Sequence, residues 1–332
     1  MNPSSPWTAR ALQLFAAAAI SLILAVQLGL QNPFWAAMPV WVVAQPNRQD
    51  LLLRAVLRVL GTAFGAWIGW LVLMSVPGDA ARVAVLALGV GLGASVAFWI
   101  GTVYSYGVIL AAITLAVVLV VPAMDHPVDA AHLALDRIWC TLIGVVAVTV
   151  ITFLFTPHRS GPLPPRTVPP LGDVIRQGLI AAAAALAGGA ILHAVGGPAG
   201  IAAALSLTIF SLILGTSRNP APILAYMPPG AAVGVLAALA YRALDMALPD
   251  PAGTALWLAL PFIAAGASLR SHPRTAPLGL DANMCFLLAA EAGTAGHGFG
   301  AHLQGGLATV LAGFAMAGIF RRFGAVRAPA LK

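Results

Sequence analysis

Long uncharged apolar runs alternate along this chain with short breaks rich in proline, glycine or charge. The first six runs fall at 9–30, 34–45, 54–76, 82–100, 104–121 and 133–156. A proline-rich connector from His158 to Asp173 follows, and six more runs come at 174–195, 199–215, 223–246, 253–269, 278–294 and 302–320. A helix rises ~1.5 Å per residue and a hydrocarbon core is ~30 Å thick, so about 20 apolar residues make one crossing. The runs lack the strict alternation of outer-membrane strands. The pattern therefore predicts an all-α, polytopic membrane helix bundle of about twelve transmembrane helices. Residues 1–157 form a first six-helix repeat, 158–173 a cytoplasmic connector, and 174–332 a second six-helix repeat.

Three runs are short for a crossing: the second, the eighth and the eleventh. The second covers only ~18 Å as a helix, and Pro33, Pro39 and Pro46 bracket and interrupt it. Proline inside a membrane helix frees a backbone carbonyl that protein or trapped water must satisfy. The eighth run carries the hydroxyls of Ser206, Thr208 and Ser211. Interrupted segments at matching places in two halves predict a polar site where the halves meet. The plainer reading is two ordinary helices tucked into the core.

Composition agrees with the pattern. Of 332 residues, 60% are hydrophobic and 8% charged, against about 25% charged in soluble domains. The apolar run that ends at Leu30 lacks a small-residue cleavage site and is expected to be a first span, not a removed signal. The +7 net charge does not point to nucleic acid, because the cations are distributed by side of the membrane. With the N-terminus inside, the 17 Lys and Arg residues fall in inner loops or ends, except Arg82, Arg137 and Arg242. The outer loops instead collect Asp79, Asp125, Asp129, Asp136, Asp245, Asp250 and Glu291. The positive-inside rule then puts both termini in the cytoplasm.

Glycines recur at a fixed offset: Gly61 and Gly65 with Gly230 and Gly234, and Gly144 with Gly313, each pair 169 positions apart by subtraction. Pro33 and Pro198 stand 165 apart. Two copies with an even number of spans share one orientation and are related by an axis along the membrane normal. Glycine is frequent in membrane helices, so chance spacing is the competing explanation.

The segment around the second run carries a recognisable signature. Phe34 and Trp35 open it, an apolar stretch ends in Gln45 and Pro46, and Arg58, Gly61, Thr62 and Gly65 follow in the order Arg-x-x-Gly-Thr-x-x-Gly. This pattern resembles the fusaric acid resistance family over roughly residues 10 to 160. The resemblance implies a bacterial inner-membrane, multi-pass protein that exports aromatic carboxylic acids and related toxic compounds. It also implies plant malate channels as distant relatives, and, for longer members, a soluble region and a periplasmic adaptor protein.

Candidate chemistry concentrates in a few places. Arg54 and Arg58 face one side of the third span, and a guanidinium fork suits a carboxylate. The alternative is that both anchor the span at the interface. Trp35, Met38, Val42 and Gln45 share a face, and Tyr106 joins Trp99 and Tyr104 near the turn after the fourth span. Aromatic walls would suit an aromatic acid, although interface belts of Trp and Tyr are the commoner explanation. The substrate-binding expectation is therefore Arg58, Trp35, Gln45, Thr62, Tyr106 and Asn283. The eleventh span carries Asp281, Asn283 and Glu291, and an ionisable group within a bilayer is costly enough to have a purpose. Glu291 and Asp281 are the expected proton-coupling carboxylates, unless the span ends before Glu291 or Asp281 is a helix cap.

Cys140 and Cys285 lie in apolar runs and imply neither a disulfide nor a metal. His126 and His132, with Asp125 and Asp129, and His297 with His302 fit no recognised ligand spacing. No metal, cofactor or enzymatic motif is expected. The reading is a proton-coupled exporter of small organic acids. Its partners are membrane lipid, the substrate, an adaptor, and a second copy of the chain through glycine faces. The alternatives are a gated anion channel and a non-transporting membrane scaffold.

Overall fold

The computed structural model describes residues 7–121, 130–161, 167–248 and 251–324. Twelve helices account for nearly all of them: α1 (Trp7–Gln27), α2 (Phe34–Val43), α3 (Arg48–Ser75), α4 (Asp79–Ile100), α5 (Ser105–Val120), α6 (Ala130–Phe153), α7 (Leu171–Val195), α8 (Gly197–Gly215), α9 (Ala221–Met246), α10 (Pro251–Ser271), α11 (Ala276–Ala290) and α12 (Phe299–Phe323). No strand occurs among the described residues. Nine of the twelve are long and apolar enough to cross a membrane; α2, α5 and α11 are shorter. The chain is a multi-pass helical membrane protein.

The helices begin and end where local chemistry dictates. Gly101, in the left-handed conformation, terminates α4, and its amide donates back to Ala97 O. The α1–α2 turn is closed by Asp136 of α6, whose carboxylate accepts from the backbone amides of Gln31 (2.8 Å) and Asn32 (3.1 Å) and from Asn32 Nδ2 (3.1 Å). A helix that stops inside the bundle leaves orphan backbone groups that need such partners.

One expectation is corrected here. The second and eighth spans are not a truncated pair: α2 has 10 residues, whereas α8 is continuous over 19. The reason is proline placement. Pro39 and Pro46 interrupt or follow α2, but Pro198 occupies the first turn of α8, where a missing N–H leaves nothing unsatisfied. The short helices that do correspond are α5 and α11, the fifth of each six.

Helix packing recurs with a period of six. Within the first half α3 packs on α5, α2 on α6, α4 on α5 and α1 on α2; within the second, α9 packs on α11, α8 on α12, α10 on α11 and α7 on α8. Contacts between the halves obey the same exchange, α2 with α11 and α8 with α5, α1 with α10 and α7 with α4. The 169-residue glycine offset has a physical counterpart. Gly61 and Gly65 lie against the backbone of Gly107 and Ala111 on α5, and Gly230 and Gly234 against Leu278 and Ala282 on α11. Gly144 meets α2 at Ala36 and Pro39, and Gly313 meets α8 at Phe210. A Cβ at Gly230 would fall 2.8 Å from Leu278 O, so only glycine permits that approach.

The short helix α2 sits in the middle of the first half. Every residue from Phe34 to Val43 except Val42 is buried, against α1, α3, α6 and, from the other half, α11. A helix apolar on all sides is one enclosed by protein.

Candidate arginine site around α2

Four elements bring polar side chains to the flank of α2. Arg58 projects from α3, ~15 Å along that helix from Arg48. Its Nη1 donates to Tyr106 Oη at the start of α5, 2.7 Å away, and the residue is only 3% exposed. One turn earlier, Arg54 Cζ stands 5.1 Å from the centroid of the same Tyr106 ring, and Arg54 Nη1 donates to Val42 O (3.3 Å). The phenol is thus held between two guanidiniums, one half-buried and one fully buried.

Arg137 completes the group. It lies ~10 Å along α6 from Ala130, is 4% exposed, and stacks with Cζ 4.5 Å from the centroid of the Trp35 ring. Arg58 falls within electrostatic reach of it. The sixth run, expected at 133–156, contains Arg137, and the structure makes that residue part of the core of α6. Its signal in the sequence is a charged pair, Asp136 and Arg137, a few positions inside an apolar run, a costly placement in lipid.

Charge compensation separates Arg58 and Arg137 from Arg242, the third buried arginine among the described residues. Arg242, also buried, forms an ion pair with Asp245 (3.0 Å) and donates to the carbonyls of Glu291 and Thr294 (3.0 Å each) and Ala295 (3.3 Å). Arg82 and Arg159 pair with Asp79 and Asp50. Among the described residues neither Arg58 nor Arg137 has a carboxylate within ion-pair distance, and the Nε of each, like that of Arg242, is buried without a hydrogen-bond partner. Asp136, the carboxylate next in sequence, directs its oxygens at the α1–α2 turn instead.

The C-terminal end of α2 is basic as well. Arg270 of α10 donates to Trp41 O through Nε and Nη2 (3.4 Å each), and Gln45 Nε2 donates to Val42 O (2.8 Å) and Ala44 O (3.3 Å). Cations at a helix C-terminus complement its dipole. Gln45 is thus a cap on α2, and it shares Val42 O with Arg54, the guanidinium that lies over the Tyr106 ring. Thr62 is buried one turn beyond Arg58 on α3.

The remaining expected residues separate. Asn283 Nδ2 donates to Gly266 O (2.9 Å) and Gly279 O (2.6 Å), tying α11 to α10. Asp281 is not a cap, since Thr275 precedes α11; it lies in the second turn, within electrostatic reach of Arg270. Glu291 is the residue at which α11 ends, in the left-handed conformation at φ 47°, and its carboxylate lies 2.9 and 3.0 Å from His297 Nδ1. It therefore sits at the helix end and not at mid-span. That hydrogen bond raises the His297 pKa above its ordinary 6.5. Thr208 and Ser211 donate to carbonyls of their own helix (2.8 Å each), and Ser206 to Thr309 (3.1 Å), so these hydroxyls are already engaged. Trp99 and Tyr104 are exposed, unlike Tyr106. His126, Asp125 and Asp129 lie outside the described residues, among which no group of three metal-ligating side chains occurs.

Comparison with known proteins agrees with this picture of the first half. No curated protein and no solved structure matches the chain. The family implies a membrane transport, efflux-related role. Residues 8–168, which span α1 to α6 and most of the connector, match the model of the fusaric acid resistance protein family.

Proposed function

We propose that the chain is an inner-membrane exporter of small organic acids, aromatic carboxylates foremost, driven by the proton gradient. The observation that carries this reading is a pair of buried guanidiniums, Arg58 and Arg137, that no carboxylate among the described residues neutralises. An arginine stays charged at any physiological pH, so such a pair attracts an anion. Tyr106 and Trp35 hold the two forks in place and supply flat apolar walls beside them, the chemistry that an aromatic acid presents in reverse. In this reading the basic inner end of α2, with Arg54 and Arg270, collects the anion from the cytoplasm, and Arg58 receives it.

Asp281 is the carboxylate best situated to exchange a proton. It projects from α11, which packs on α2, and it has Arg270 as its charged neighbour. Glu291, engaged with His297 at the helix end, is less suited to that role. Two tandem copies of a six-helix module, with both termini in the cytoplasm, account for the six-helix period in the packing.

The test is accumulation of labelled aromatic acids in cells with and without the protein. Export is expected to vanish in Arg58→Ala and on collapse of the proton gradient, and to lose its proton dependence in Asp281→Asn. Flux that survives both the uncoupler and Asp281→Asn would replace the exporter with an anion channel. Unchanged accumulation of every acid on deletion would leave a scaffold.

A further inference from the structure

The Arg58–Arg137 pair raises a question about the protein at rest, when no organic acid is bound. A lysine buried in this way could shed its proton, whereas a guanidinium does not. A buried charge left without a counter-charge is strongly destabilising. Counting the buried charged groups among the described residues here, Arg58 and Arg137 contribute two positive charges and Asp136 one negative. The difference, two minus one, is a net charge of +1. Asp136 is committed to three donors of the α1–α2 turn, so neither arginine has a directed partner in it. Both Nε–H groups are buried and unpaired.

We propose that a single monovalent inorganic anion, with chloride as the probe, is held by Arg58 and Arg137 in the resting protein, and that the organic carboxylate displaces it. The inference rests on the anion-site reading above and adds the resident ligand. A spherical ion accepts hydrogen bonds from any direction, so it satisfies two forks that stand on different helices without requiring them to be coplanar. One such ion brings the cluster to neutrality. Trp35, stacked on Arg137, lies beside it and should report its presence.

The experiment uses the full chain purified in a neutral detergent and compares sodium chloride with sodium gluconate at equal ionic strength. Chloride is expected to raise the unfolding temperature saturably, by about 2 °C or more once the site is filled. Arg137→Gln should abolish the saturable part. Bromide, at the same site, should quench tryptophan fluorescence in the wild type, and the quench should fall in Trp35→Phe. Equal unfolding temperatures in chloride and gluconate, or a chloride effect that persists in Arg137→Gln, would overturn the proposal. Protection by anionic phospholipid in the absence of any halide would also overturn it, in favour of a lipid phosphate. The outcomes separate from those of transport. A halide site without organic-acid export removes the exporter alone, and export without halide binding removes the resident ion alone.

Discussion

The α3–α5 seam sets the distance between Arg58 and Tyr106, and one methyl group tests it. A Cβ built at Gly65 falls 2.9 Å from both Cα and C of Ala111 on α5. Carbon atoms pack at ~3.5–4.0 Å, so Gly65→Ala must drive the helices apart by roughly 0.6–1 Å. Overpacking of this kind costs about 1–3 kcal/mol, and against it stands the gain of about 0.5–1 kcal/mol from replacing a helical glycine with alanine. Gly318, exposed on α12 with nothing within 4 Å of its own built Cβ, isolates the second effect. At about 2.1 cal/mol/K per residue of unfolding entropy, 1 kcal/mol shifts the melting of a chain this long by roughly 1.4 °C. Thermal unfolding of the purified variants should therefore place Gly318→Ala about 1 °C above wild type and Gly65→Ala below it. Transport should fall in Gly65→Ala, because α5 carries Tyr106 away from a 2.7 Å hydrogen bond. Gly65→Ala as stable as Gly318→Ala would mean that α3 and α5 are not in close contact at this seam.

Three further outcomes follow from named contacts. Tyr106→Phe strips Arg58 of its one side-chain acceptor among the described residues, which should cost about 1–3 kcal/mol of stability. It should also alter the apparent affinity for the transported acid, measured as KM in vesicles. Because Glu291 raises the His297 pKa above 6.5, that pair contributes stability fully present below pH 6.5 and lost as pH rises through the raised value. Stability of the wild type measured from pH 5.5 to 8.5 should show this decline, and Glu291→Gln should flatten it. Asn283→Leu removes the side-chain donor shared by Gly266 O and Gly279 O and should lower the unfolding temperature. It should leave the substrate KM of the folded fraction unchanged, and a large shift in KM would restore Asn283 to the binding site.

The elements were legible because a membrane span is a local property. All twelve apolar runs became helices, and the glycine offset marked the residues where α3 meets α5 and α9 meets α11. Arg58 and Tyr106, picked out in different spans, do meet in a hydrogen bond. Other readings failed where two segments compete for one polar group. Asp136 and Arg137 are adjacent in sequence yet serve different partners, the α1–α2 turn and the face of Trp35. Asn283 looks like a binding residue in a list of polar positions, and becomes a tie between α10 and α11 once their backbones are brought together.

The sequence alone determined how many helices there are, which carry glycine faces, and where each begins and ends within a few residues, except that α3 starts at Arg48 and not at 54. Hydrocarbon imposes those features on every stretch independently, through length and through the need to satisfy each backbone group within its own segment. Only the tertiary structure decided that Asn283 ties α11 to α10, and that Arg137 comes within electrostatic reach of Arg58 with no carboxylate at ion-pair distance from either among the described residues. These depend on residues far apart in the chain, Trp35 with Arg137 and Arg58 with Tyr106, and the packing of whole helices fixes them.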